Sequence, residues 1–131
     1  MITKQLEEII KKYKIMKTNN IIYGTNIPMP NMILPTPWKT YIRFDSTQYY
    51  FFYFDEEGIT IYPTNGDYYA SIPWSKVVKF NIKYIFILGK MTIKLDDGTT
   101  YKFQINKYVI GCPWIKINRK HLENYNYFYN K

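Results

Sequence analysis

Apolar and polar positions alternate in two adjacent segments of the chain. Met91, Ile93 and Leu95 alternate with Thr92 and Lys94, and Tyr101, Phe103 and Ile105 alternate with Lys102 and Gln104. A period of two is the mark of a half-buried strand, because successive side chains point to opposite faces. If the two strands pair antiparallel and share one buried face, Leu95 lies opposite Thr99, Ile93 opposite Tyr101 and Met91 opposite Phe103. That register predicts a three-residue loop, Asp96-Asp97-Gly98, with Gly98 at positive φ.

The same patterning extends along the chain. Leu6, Ile9, Ile10 and Tyr13 fall at helical spacing behind Thr3, the expected N-cap, and predict a short amphipathic helix within residues 1–17. Such a helix packs on the body of the protein or lies in a membrane interface. Ile21–Ile27 reads as a strand with a bulge or bend at Gly24. Four prolines between Pro28 and Pro37 exclude helix and central strand there. Lys39–Asp45 alternates again, with Thr40, Ile42 and Phe44 inward. Tyr49–Phe54 is six consecutive aromatics. With Tyr50, Phe52 and Phe54 inward, Asp55-Glu56-Glu57-Gly58 becomes a loop that returns Ile59 and Ile61 to the same face. Asn65-Gly66-Asp67 marks a turn before a strand over Tyr68–Ile72, and Pro73-Trp74-Ser75 interrupts before a strand over Lys76–Lys83. Tyr84–Leu88 is a short apolar run ended by Gly89, read as a bend leading into the hairpin. A helix follows from Pro113, with Trp114, Ile117, His121 or Leu122, and Tyr125 inward and Lys116, Arg119, Lys120 and Glu123 outside. The tail from Asn124 is expected to fray.

About seven short antiparallel strands followed by a helix imply an α+β, mainly β fold, a barrel or sandwich with a helical cap. The division expected within one domain over residues 1–131 is an N-terminal helix at 1–17, antiparallel sheets at 18–105 and a capping helix at 113–127. With 131 residues and 15.9 kDa, one core without disulfides or metal suffices.

Composition modifies this picture in two ways. A net charge of +8 and an isoelectric point near 9.4 favour acidic partners, nucleic acid or anionic lipid. Lysine, isoleucine, asparagine and tyrosine all have AT-rich codons, and alanine occurs only at position 70, so genome bias explains part of the charge and of the 15 tyrosines. The lone cysteine suits a reducing compartment. Lys4, Glu7 and Glu8 interrupt any signal peptide, and no apolar run approaches the roughly 18 residues of a membrane span. The expectation is a cytoplasmic protein, with peripheral membrane attachment open.

Candidate chemistry is sparse. His121 is the sole histidine, and Cys112 at a helix start is read as a buried cap residue, with an activated thiol as the alternative. The acidic clusters at 55–57 and 96–97 each end in glycine, which points to turns before metal or acid–base sites. No catalytic, metal or cofactor-binding residue is assigned, and no small-molecule substrate is inferred. Two candidate surfaces remain. The proline-rich loop carries Met32, Ile33, Leu34 and Trp38, flanked by Lys39 and Arg43. These side chains either fold back over the barrel or dock a protein partner or an anionic membrane. The alternative is a nucleic-acid interface made by the outward lysines Lys79, Lys83, Lys90, Lys94 and Lys102, with Tyr49 and Tyr53 stacking on bases. An enzyme is not expected.

Three segments carry a family resemblance: Ile72-Pro73-Trp74-Ser75-Lys76-Val77, Ile93-Lys94-Leu95-Asp96-Asp97-Gly98, and Ile110-Gly111-Cys112-Pro113-Trp114 leading to Asn118. Within residues 39–125 their order resembles the pleckstrin-homology (PH) or GRAM-like superfold, particularly small bacterial PH-like domains. The resemblance implies two bent antiparallel sheets, an open end blocked by the C-terminal helix with Trp114 at the barrel mouth, and a binding or adaptor role. It also places the proline-rich loop between the first two strands, where many PH domains bind lipid headgroups. The loop departs from the phosphoinositide pattern, having no basic residue before Lys39.

Overall fold

The chain folds as one seven-stranded antiparallel sheet with a helix at each end of the sequence, as described by a computed structural model covering residues 2–26 and 48–129. The elements are α1 (Ile2–Tyr13), β1 (Ile21–Asn26), β2 (Tyr49–Phe54), β3 (Gly58–Pro63), β4 (Ala70–Pro73), β5 (Val77–Ile85), β6 (Leu88–Leu95), β7 (Thr100–Asn106) and α2 (Pro113–Asn124). Strand order is β4-β3-β2-β1-β7-β6-β5. The predicted strand Lys39–Asp45 lies outside the described residues.

The β6–β7 register is the one that side-chain parity requires. Ile93 pairs with Tyr101 and Met91 with Phe103, and the Leu95 N–H donates to the Thr99 carbonyl at 2.8 Å. Gly98 closes the turn at φ 91°. Likewise Phe54 pairs with Ile59 across the 55–58 loop, where the Asp55 carboxylate accepts from the Glu57 and Gly58 N–H groups. At Gly58 a Cβ would stand 2.0 Å from the Ile72 carbonyl oxygen, so the β3–β4 approach there admits glycine alone. Gly24 sits in an unbroken ladder, paired with both Tyr50 and Ile105, and makes no bulge. A Cβ there would lie 2.5 Å from the Gln104 carbonyl oxygen, so its role is close passage between β1 and β7.

Phe54 on β2 and Phe80 on β5 stand four places apart in the sheet, yet their rings are 5.9 Å apart. The sheet therefore curls until its halves share a core that includes Phe52, Phe54, Trp74, Met91, Tyr101, Phe103 and Leu122. The β4–β5 connection, a 3-10 turn over Trp74–Lys76, ties the halves together. The Trp74 N–H donates to the Glu57 carbonyl and the Asp96 N–H to the Lys76 carbonyl.

A second cluster covers the opposite face of β1–β2–β3. Leu6 and Ile9 of α1 pack there against Ile21, Phe51 and Tyr62, so the apolar stripe of α1 is buried against the sheet. Thr3 lies inside α1 and caps nothing; its hydroxyl accepts from the Trp114 indole at 3.1 Å. Trp114 therefore belongs to this outer cluster, with its ring 6.2 Å from that of Phe51, and does not close the barrel.

That closure falls to the tail. Asn126, Tyr127 and Phe128 all have φ between 50° and 65°, and this left-handed turn drives Tyr127 into the core against Phe54 and Phe80. As far as Tyr129 the tail is held in place because it supplies a core side chain. The inward face of α2 is Ile115, Asn118, Arg119 and Leu122, whereas Ile117 is exposed. Arg119, expected outside, is buried because the Lys107 carbonyl and the Glu123 carboxylate take up its donors.

Burial pushes the Tyr62 phenol up to about 12 and raises those of Tyr101 and Tyr127 as well. Above pH ~10 the unfolded chain releases phenolic protons that the folded chain retains. Stability is therefore complete below that pH and falls above it, by up to about 1.4 kcal/mol per pH unit for each such tyrosine. Urea midpoints measured from about pH 8 to about pH 11.5 should stay level and then drop past pH ~10; a level midpoint throughout would show that these phenols titrate freely.

Candidate functional site

With α1 and Trp114 on one half of the sheet, no element among the described residues covers the outer face of β5–β6–β7. The strand registers set its side chains in rows. Lys79, Lys94 and Thr100 form the first, Asn81, Thr92 and Lys102 the second, Lys83, Lys90 and Gln104 the third, and Ile85, Leu88 and Asn106 the fourth. With strands about 4.8 Å apart and rows about 6.8 Å apart, the grid spans about 10 by 20 Å. Its twelve positions hold five lysines and no acidic side chain. None of the five lysines is in an ion pair among the described residues.

Two lysine pairs, Lys79–Lys94 and Lys83–Lys90, stand directly opposite across the β5–β6 ladder. Like charges so placed repel and weaken a sheet. The arrangement is therefore unfavourable for folding and favourable for meeting negative charge.

The structure brings the predicted residues Lys79, Lys83, Lys90, Lys94 and Lys102 onto one face, and it separates the two tyrosines assigned to the same interface. The third row continues through Gln104 and Thr25 to Tyr49, whose ring stacks on Tyr23 at 6.1 Å and 9°. Tyr53 packs against the α1 cluster, and burial raises its phenol pKa. The candidate docking residues Met32, Ile33, Leu34, Trp38, Lys39 and Arg43 lie outside the described residues.

The feature that sequence reasoning missed is the β5–β6 turn. Both strands run to a two-residue reversal at Phe86 and Ile87, with Ile85 paired to Leu88. All four of these side chains are exposed, Ile85 by 75% and Phe86 by 90%. Gly89 lies inside β6, where the Tyr84 ring fills the space a Cβ would need. An open apolar groove of about 430 Å³ runs along the tip and is bordered by Lys83, Lys90 and Gln104. The signal available in the sequence was strand parity, which sends Ile85 outward when carried on from Phe80 and Ile82 and Leu88 outward when carried back from Met91.

The side chains with catalytic potential are held apart. Cys112 Sγ lies 3.8 Å from the Thr3 hydroxyl, and His121 Nε2 lies 3.1 Å from Asn20 Oδ1. Nine residues along α2 separate the two by about 13 Å. Asp55 and Asp97 both accept backbone N–H groups of their own turns, and the Thr99 bond lowers the Asp97 carboxyl pKa. Among the described residues no three His, Cys, Asp or Glu side chains gather as a metal site, and no helix is long and apolar enough to cross a membrane.

No protein-family model matches the chain, and no curated protein is similar to it in sequence.

Placing an acid in the grid should relieve its repulsion. Lys90→Glu is expected to stabilise the fold by about 0.2–1 kcal/mol in low-salt urea denaturation, with the gain shrinking as salt rises. Unchanged or lower stability would show that Lys83 and Lys90 do not interact.

Proposed function

We propose that the protein is a non-enzymatic binding module on a PH-like scaffold, and that the outer face of β5–β6–β7 is the surface with which it engages an acidic partner. The observation that carries this reading is the grid of five lysines, two pairs of them directly opposed, without an acidic side chain among them. An array that repels itself is relieved when a polyanion neutralises it. The strand order and the helix after the last strand support the PH-like scaffold. Partner binding through residues 28–38 is compatible with this role, but the described face is the one that offers a geometry.

Phosphatidylserine-containing vesicles and oligonucleotides, single-stranded and duplex, form a suitable acidic panel. Each lysine at an anionic surface contributes about 1 kcal/mol, so the triple variant Lys83→Glu, Lys90→Glu, Lys94→Glu should lose at least tenfold in affinity for whichever probe binds. The equal-charge control Lys4→Glu, Lys11→Glu, Lys116→Glu should retain most of it. Equal losses in the two variants would assign binding to net charge and refute the face.

A further inference from the structure

The basic face ends in a feature that charge does not explain. One row beyond Lys83, Lys90 and Gln104 the grid turns apolar at Ile85 and Leu88, and the chain reverses through Phe86 and Ile87. Phe86 sits at φ 57°, a conformation disfavoured for any residue with a Cβ and readily met by asparagine or glycine at a two-residue turn. Exposed by 90%, its ring adds little to the core. The tip is braced, since the Lys107 N–H donates to the Ile87 carbonyl at 2.9 Å, and the same segment goes on to Ile110, exposed by 94%.

Resting on the reading of this face as anion-binding, we infer that the acidic partner is a lipid bilayer with anionic headgroups, into which the β5–β6 tip inserts. The spacing fits. Lys83 and Lys90 stand one row, about 7 Å, behind Ile85 and Leu88, with Phe86 and Ile87 beyond. That matches the ~5–10 Å depth to which peripheral apolar side chains enter the boundary between headgroups and acyl chains. Lysine stems reach past such a boundary while their ammonium groups stay with the phosphates. One apolar wedge and one basic patch together make the two-signal attachment that stable peripheral binding requires. A second copy of the chain fits poorly, because antiparallel pairing along the β5 edge about Asn81 would set Lys79 of each copy against Lys83 of the other.

Vesicle sedimentation with phosphatidylcholine alone and with added phosphatidylserine tests this directly. Wild-type protein should pellet only with the acidic vesicles. Phe86→Ser with Ile87→Ser, confined to exposed positions, should weaken that binding about tenfold or more. As a check independent of any loss of fold, Phe86→Trp should gain a blue-shifted emission over wild type on acidic vesicles, quenched by brominated acyl chains. Undiminished sedimentation of the double serine variant, together with no quenching of the emission that Phe86→Trp adds, would overturn insertion. Binding to oligonucleotides without binding to acidic vesicles would overturn the bilayer and leave the anion-binding face standing. Absence of binding to every acidic probe would overturn both.

Discussion

Burial of β2 on both of its faces is the constraint on which the rest of the structure depends. Phe51 and Phe52 are consecutive, point in opposite directions and are both fully buried. A strand of this kind needs two covers. One is the barrel core, where the Phe52 ring stands 4.9 Å from Phe103. The other is assembled from the two ends of the chain, where α1 and Trp114 meet over Phe51 and are joined by the indole–Thr3 hydrogen bond. The Tyr13 hydroxyl, donating to the Gly66 carbonyl at 2.9 Å, pins the far end of α1 to the β3–β4 turn. Because both helices are committed to the β1–β2–β3 side and the barrel end, nothing among the described elements packs on the outer face of β5–β6–β7.

This distribution of cover turns an ordinary alternating pattern into a surface. Lysines on three neighbouring strands gather because parity sends them to the same side, and genome bias explains their abundance without explaining why none of the ten acidic residues shares the grid. Opposed lysines weaken the β5–β6 pairing, and a bulky residue in a left-handed turn strains its tip. Both departures from good folding practice fall in the same hairpin, and one of the two opposed pairs, Lys83–Lys90, adjoins its four exposed apolar side chains. Sites where local stability is given up are where binding surfaces are most often found.

Parity was legible in the sequence, and so was everything that follows from parity alone. The β6–β7 register, the 55–58 loop and the inward set Tyr50, Phe52 and Phe54 all come from a period of two together with turn chemistry. What parity cannot report is which outward face receives a cover. Phe51 and Tyr53 read as solvent-facing because the helix that buries them is remote in sequence. Trp114 was placed at the barrel mouth by the family resemblance, but two apolar interiors compete for it and the α1 cluster takes it. Tyr127 was lost because three consecutive left-handed residues in a polar, asparagine-rich tail leave no periodic trace. Arg119 looked exposed by residue type, and its burial depends on the Lys107 carbonyl and on Glu123 one turn along α2. At the tip, an apolar run read as a bend, whereas the two strands run on to a two-residue reversal and leave it exposed.

Hydrogen–deuterium exchange of the full chain, with and without phosphatidylserine-containing vesicles, tests the central claim most directly, because it localises contact without altering a residue. Slowed exchange concentrated in Lys83–Lys90, extending into the facing stretch of β7, is the expected result. Protection confined to α1 or to residues 28–38, with the β5–β6 hairpin unchanged, would contradict it.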